Sequence, residues 1–335
     1  MSVSADAVVD RRVVLDAIVL GSLDVAVTRG DLRRWAERFD PAFTGRMAAR
    51  ARLGARDLAG DESLEKLVED TAADFRYAHS LEAAESLVAW LGARGLTVDA
   101  WWESVKRTVL EARHRDEPSL THGADHDADE PEPVDADDEA ALADLVVSDV
   151  LDEATQSLAR RIAVARSLGA WPGMSAVDAR HDALEAIWRP WRAALMDEAA
   201  MQQVVQHERL SWIVVDATES RWPGVDAANE AVTCVRADGT PLADVADEAG
   251  VPMRRTRRLL ADAPDVLRDA YLTAAPGELV GPLALDGAWL VAHVHAKGAP
   301  SLDDALVRAA AERALEARAT AALVMQHVTR SDRYR

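Results

Sequence analysis

Two histidines, His293 and His295, stand one residue apart in the apolar run of residues 288–297. As a strand, that run puts Trp289, Val291, His293 and His295 on one face and Leu290, Ala292 and Val294 on the other. Large apolar groups on both faces describe a strand covered on both sides. The two imidazoles near its end read either as half-exposed polar groups or as a catalytic pair. Cys234, in Ala-Val-Thr-Cys-Val with no evident basic partner, reads as a small buried hydrophobe and not as a nucleophile. His122 and His126, with Asp125, Asp127 and Asp129 around them, could hold a divalent metal weakly. A solvated acidic tether is the plainer reading, because ordered metal sites need a held geometry. No Gly-rich phosphate loop, Cys/His zinc spacing or G-x-S-x-G elbow occurs, so nucleotide, zinc and serine-hydrolase enzymes have no support and no cofactor is expected.

The elements that must position these residues are mostly helical. The 335 residues leave room for about two domains. Ala, Leu, Val and Arg are among the commonest residues, and ten Trp stand beside three Phe and three Tyr, a balance that favours helices. Residues 11–27 read as β-branched strand with a turn at Gly21. Thr28 then N-caps a helix, with Asp31 three residues on and Leu32, Trp35, Ala36 and Phe39 along one face. Helices follow over 62–78 and 81–94, with Gly95 as a cap, and Thr97 opens a third that presents Trp101, Val105 and Val109. A long helix covers 139–168 and another 176–196, where Pro190 should kink or break it. Residues 210–217 form the strongest strand. Helices over 227–235, 242–249 and 264–271 come next, then a short strand at 279–280, a turn at 286–287 and the histidine-bearing strand. Ser301 N-caps a final helix with Asp304 three residues on. Its seam runs through Val307, Ala310, Ala314, Ala317, Ala321, Val324 and Val328.

Charge is unevenly spread. Residues 116–139 hold eleven acids, three prolines and no Lys or Arg, more than half of a formal net charge of −20. Such a run cannot offset its ordering entropy and is expected to be a disordered linker. A single cysteine suits a reducing compartment. Residues 8–27 are interrupted by Asp10, Arg11, Arg12, Asp16 and Asp24, so neither a signal peptide nor a membrane span is expected there, and the chain reads as soluble and cytoplasmic.

The segment holding Tyr271, Leu272, Pro276, Gly277 and Glu278, followed by the strand with Trp289, resembles the end of a parvulin-type peptidyl-prolyl isomerase domain. In that family an aromatic residue, a Pro-Gly-Glu turn and a Gly-aromatic-His strand close a proline-binding groove. Residues 210–217 resemble its first strand, and the resemblance covers about residues 209–298. It implies a peptide groove made by Trp212, Tyr271, Trp289, Val291 and His293. Parvulins lower an amide barrier of about 18–20 kcal/mol in an apolar groove beside two histidines and a Cys or Asp. Here Trp212 and Trp289 stand in the two histidine positions, and no Gly-Gly-x-Leu-Gly segment lies between, so the resemblance implies peptide binding without efficient catalysis. The opening strand and helix, with the helices that follow, are similar to the SurA-type foldases. There a helix after the isomerase domain returns to complete the N-terminal domain; pairing of two such helices in a homodimer is the competing use. Residues 242–260 resemble a helix-turn-helix whose Arg254, Arg255, Arg257 and Arg258 would meet phosphates, although so acidic a chain would repel DNA. The same arginines could instead receive an acidic peptide or the chain's own acidic run.

The expected architecture is therefore α+β, mostly α: a helical chaperone-like domain (1–115), the acidic linker (116–139), a helical connector (140–208), a parvulin-like domain with a short antiparallel sheet (209–298) and a C-terminal helix (299–330). The expected function is a peptide-binding chaperone or accessory factor of peptide maturation, akin to the parvulin-related maturation factors. An active prolyl isomerase and a DNA-binding regulator are the alternatives. The expected partner is an unfolded polypeptide or a precursor or leader peptide, with no membrane and no nucleic acid.

Overall fold

The computed structural model describes residues 9–23, 25–54, 62–116, 139–172, 177–285 and 287–331. The expectations for the acidic run with His122 and His126, for the helix start at 176 and for Asp286 fall outside these residues. Among them are fourteen α-helices and two antiparallel sheets, an α+β fold that is mostly α. The chain divides into two units, residues 1–191 with 320–335, and residues 192–319.

The first unit opens with α1 (Arg11–Leu15), β1 (Ile18–Ser22), β2 (Val25–Thr28) and α2 (Arg29–Phe39). The expected single β-branched stretch is thus split. Asp10 accepts from the Arg12 and Val13 amides and so starts a helix where propensity alone favours a strand. Gly21 lies inside β1, opposite Ala26, and the reversal falls at Leu23, which takes the left-handed backbone (φ 43°). Thr28 does cap α2. Its hydroxyl accepts from the Asp31 amide and Asp31 accepts from the Thr28 amide, both at 3.1 Å. Helices α3 (Pro41–Gly54), α4 (Glu62–Ala78), α5 (Ala84–Gly92) and α6 (Val98–Asp116) follow. Gly95, at φ +70°, turns the chain between α5 and α6; a Cβ there would stand 2.8 Å from the Asp10 carbonyl oxygen.

The expected helix over 139–168 is broken into α7 (Glu139–Val147), a 3-10 turn (Asp149–Leu151) and α8 (Asp152–Ser167). Ser148 bonds back to the Asp144 carbonyl at 2.6 Å where the helix stops. By contrast α9 (Val177–Leu195) runs through Pro190, with Trp188 buried just before it. Leu142, Leu158, Ile162 and Leu184 share one core with Leu32, Trp35, Leu91 and Val105, so residues 140–191 build the first unit's interior and do not merely connect. The last strand, β7 (Thr329–Arg330), pairs with β1 to give the sheet order β2-β1-β7.

The second unit holds α10 (Glu198–His207), β3 (Val214–Trp222), α11 (Val225–Ala237), α12 (Leu242–Glu248), β4 (Met253–Leu259), α13 (Asp265–Thr273), β5 (Leu279–Leu285) and β6 (Ala288–Gly298). The sheet order is β4-β3-β6-β5, antiparallel throughout. Helix α13 packs Leu267 and Tyr271 against Val215, Ala217, Ala292 and Val294 on one face. Helices α11 and α12 pack Ala228, Val232 and Leu242 against Trp222 and Val291 on the other. Helical cover on both faces explains why apolar residues alternate with apolar residues along β6.

Three expectations change here. Residues 210–212 are not strand; β3 starts at Val214 and runs to Trp222. Residues 253–259 are the edge strand β4 and not a helix. The N-cap of α14 (Ala305–His327) is Asp304, whose Oδ1 accepts from the Leu306 amide at 2.9 Å, while Ser301 serves the preceding turn through the Asp303 amide. Along α14, Val307 and Ala310 are buried, Ala314 is half-buried, and Ala317 and Ala321 are exposed.

Candidate functional site

The open part of the α11–α12 face of the sheet carries the chemistry. Thr218 of β3 lies opposite His293 of β6, and a register shift between Asp216 and Ala217 leaves His295 as the extra residue of a bulge. The bulge brings His295 Nε2 to 2.6 Å from Thr218 Oγ1. The two imidazoles meet edge to face, with ring centroids 4.8 Å apart. His293 Nε2 donates to the Gly277 carbonyl at 3.2 Å, which leaves its Nδ1 as an acceptor in the neutral ring. Across β3, Arg255 of β4 stands opposite Thr218 and holds Asp216 through two hydrogen bonds, of 3.1 and 2.9 Å. That bidentate bond and the positive charge behind it hold the Asp216 carboxyl below the usual carboxylate range.

A cleft of about 380 Å³ opens beside this polar row. Thr218, His293 and His295 line one part of it, and Val235, Leu242 and Met253 line another. Its size falls in the range of small-ligand sites, and its composition is theirs: apolar walls with a few convergent polar groups. Among the described residues no three His, Cys, Asp or Glu side chains cluster as metal ligands, and no helix is long and apolar enough to cross a membrane.

Of the five residues expected to form a groove, the structure brings only His293 to this cleft. Trp289 pairs with Trp222 at the far end of the β3–β6 ladder and packs under α11 and α12. Val291 is fully buried in the same cluster. Tyr271 lies on the opposite face of the sheet, also fully buried, with its hydroxyl donating to Glu219 Oε1 at 2.7 Å. Trp212 precedes β3 and is buried among Met201, Val204, Leu302 and Val307. Trp212 and Trp289 therefore stand at opposite ends of a strand that is about 27 Å long at the usual rise, and they cannot form one groove.

The structure also divides the four arginines. Alternation along β4 turns Arg255 and Arg257 to one face of the sheet and Arg254 and Arg258 to the other. Arg257 forms an ion pair with Asp304, and Arg258 binds both oxygens of Glu219 at 2.7 and 2.9 Å. The expected helix-turn-helix is absent because its second helix is a strand, and Arg255, Arg257 and Arg258 form ion pairs within the unit.

No family model matches this chain. No curated protein sequence matches it either. What the site does is inferred from its geometry.

His295 was a candidate beside His293, whereas Thr218, Met253 and the Asp216–Arg255 pair were not expected at the site. One sequence signal pointed toward them. Asp216 and Thr218 interrupt an apolar strand on alternate positions, and so do His293 and His295 in its partner, which marks two polar stretches on faces that are otherwise covered.

Proposed function

We propose that the chain is a peptide-binding chaperone or accessory factor of peptide maturation, and that the cleft beside Thr218 takes a client segment. One observation carries this: apolar walls at Val235, Leu242 and Met253 meet the polar row of Thr218, His293 and His295 in a cleft of about 380 Å³. An apolar or proline side chain of the client fills the walls, while the imidazoles and the threonine hydroxyl bond its backbone amides. Asp216 and Arg255, next to Thr218 on the sheet, neutralise each other, so the site favours an uncharged segment. Titration of the full chain with labelled apolar peptides, with and without proline, tests the reading. Saturable binding that weakens in His293→Ala and His295→Ala supports it, and binding unchanged in both variants contradicts it.

A second reading, prolyl isomerisation, is favoured by one arrangement. The two imidazoles lie at an apolar cleft, with the Asp216 carboxylate hydrogen-bonded to Arg255 close by. This is the kind of group set that the parvulin resemblance calls for, although at different positions from those expected. A protease-coupled assay on a prolyl tetrapeptide decides between binding and catalysis. Turnover above background that is lost in the double variant His293→Ala/His295→Ala makes the chain an isomerase; no turnover leaves it a binder.

A further inference from the structure

The first unit contains a separate cavity of about 410 Å³ between α3, α6 and α7. Its floor is a buried ionic group. Asp144, 2% exposed, accepts from Arg50 Nη2 at 2.9 Å, from Ser104 Oγ at 2.6 Å, and from Arg107 Nε and Nη2 at 3.0 and 2.9 Å. Burial opposes the charge of Asp144, but the hydrogen bonds and charges of Arg50 and Arg107 outweigh it and hold the carboxyl below its ordinary range. Arg107 lines the cavity, is only 3% exposed and also donates from Nη2 to the Ala140 carbonyl at 3.0 Å. Its Nη1 makes no hydrogen bond among the described residues. That nitrogen is not among the buried polar atoms that lack a partner, so on the cavity wall it is a donor that a ligand can reach.

The remainder of the lining limits what that acceptor belongs to. Asp99, Glu103 and Glu139 surround the opening, and Met47, Ala100 and Ala141 supply apolar wall. Asp99, Glu103 and Arg107 lie four residues apart on one face of α6, so Glu103 and Asp99 stand about 6 and 12 Å along the helix from Arg107. Lys106 already contacts Glu103, at 2.7 Å, but that pair is a surface one and is worth little against a competing cation. An anionic ligand would meet the three rim carboxylates and Asp144. A ligand with a neutral carbonyl at one end and a cation at the other satisfies both parts.

We infer that this cavity is a second binding site, for a basic residue of an extended peptide, whose backbone carbonyl accepts from Arg107 Nη1 and whose cationic side chain ends among Asp99, Glu103 and Glu139. The site goes beyond the cleft of the second unit and does not depend on it. It makes the protein a reader of basic side chains through its helical unit.

The test uses the full chain and three capped tripeptides: Gly-Arg-Gly, its citrulline counterpart of the same shape without the charge, and Gly-Glu-Gly. Calorimetry is expected to show saturable binding of the arginine peptide and no binding of the glutamate peptide. Citrulline and the double variant Asp99→Asn/Glu103→Gln should each weaken binding by about fivefold or more. Ala51→Phe, at an exposed position on the cavity wall, should abolish it, with circular dichroism unchanged from wild type. Ala243→Trp, which fills the cleft of the second unit, should leave it intact. No saturable binding by the folded wild-type chain, equal binding of arginine and citrulline peptides, or binding that survives Ala51→Phe each overturns the inference. Loss in Ala243→Trp alone would move the arginine site to the cleft and overturn it as well.

Discussion

At Gly281 the backbone takes φ +108°, and an added Cβ would lie 2.5 Å from the Leu290 carbonyl oxygen across the β5–β6 pair. Strand backbone on both sides cannot withdraw without breaking ladder bonds, so Gly281→Ala is expected to lower stability by about 2 kcal/mol or more in urea unfolding. His181 illustrates a different constraint. It is 3% exposed, and burial pushes its pKa down to about 4; Asp31 and Asp178 pull upward against this, while Arg180 and Arg34 add to it. The ring is thus neutral when folded, whereas the unfolded chain takes up a proton near pH 6.5. Its contribution is complete above about pH 6.5 and is lost as the pH falls toward 4. Stability measured across that window should fall more steeply for the wild type than for His181→Leu. Parallel curves would contradict the burial argument.

At the scale of elements, local signals were legible and long-range ones were not. Thr28 with Asp31 announced the start of α2 because a cap needs only three residues of chain. Thr28→Ala is expected to cost about 1 kcal/mol, read as a shift in the urea midpoint at constant slope. Both-sided cover of β6 was also legible, since its apolar residues ignore the alternation of a half-exposed strand. The segment Met253–Leu259 misled because arginine is a good helix former, and nothing local shows that Asp216, Glu219 and Asp304 wait across the fold to bind its side chains. As an edge strand it gains from those charges, which discourage pairing with another chain. The groove residues failed for a related reason. Periodicity put Trp289, Val291 and His293 on one face correctly, but which part of that face α11 and α12 cover depends on helix placement. The sequence does not encode that in any window.

At the scale of the whole molecule, the chain builds two units, each with a small antiparallel sheet, and continues from the second back into the first through residues 320–335. Each unit has its own concavity, and their chemistries differ. The cleft of the second unit joins apolar walls to two imidazoles and a hydroxyl, and the cavity of the first has a carboxylate rim over a buried arginine.

The most direct test of the central claim is binding of a labelled Ala-Leu-Pro-Phe peptide to the full chain, by fluorescence anisotropy, in wild type and Ala243→Trp. Ala243 is exposed and lines the cleft, so the indole fills it without entering a core. Saturable binding by the wild type and a loss of about tenfold or more in the variant are expected, with thermal unfolding unchanged. Equal binding by the two proteins, or none by the folded wild type, would contradict the claim.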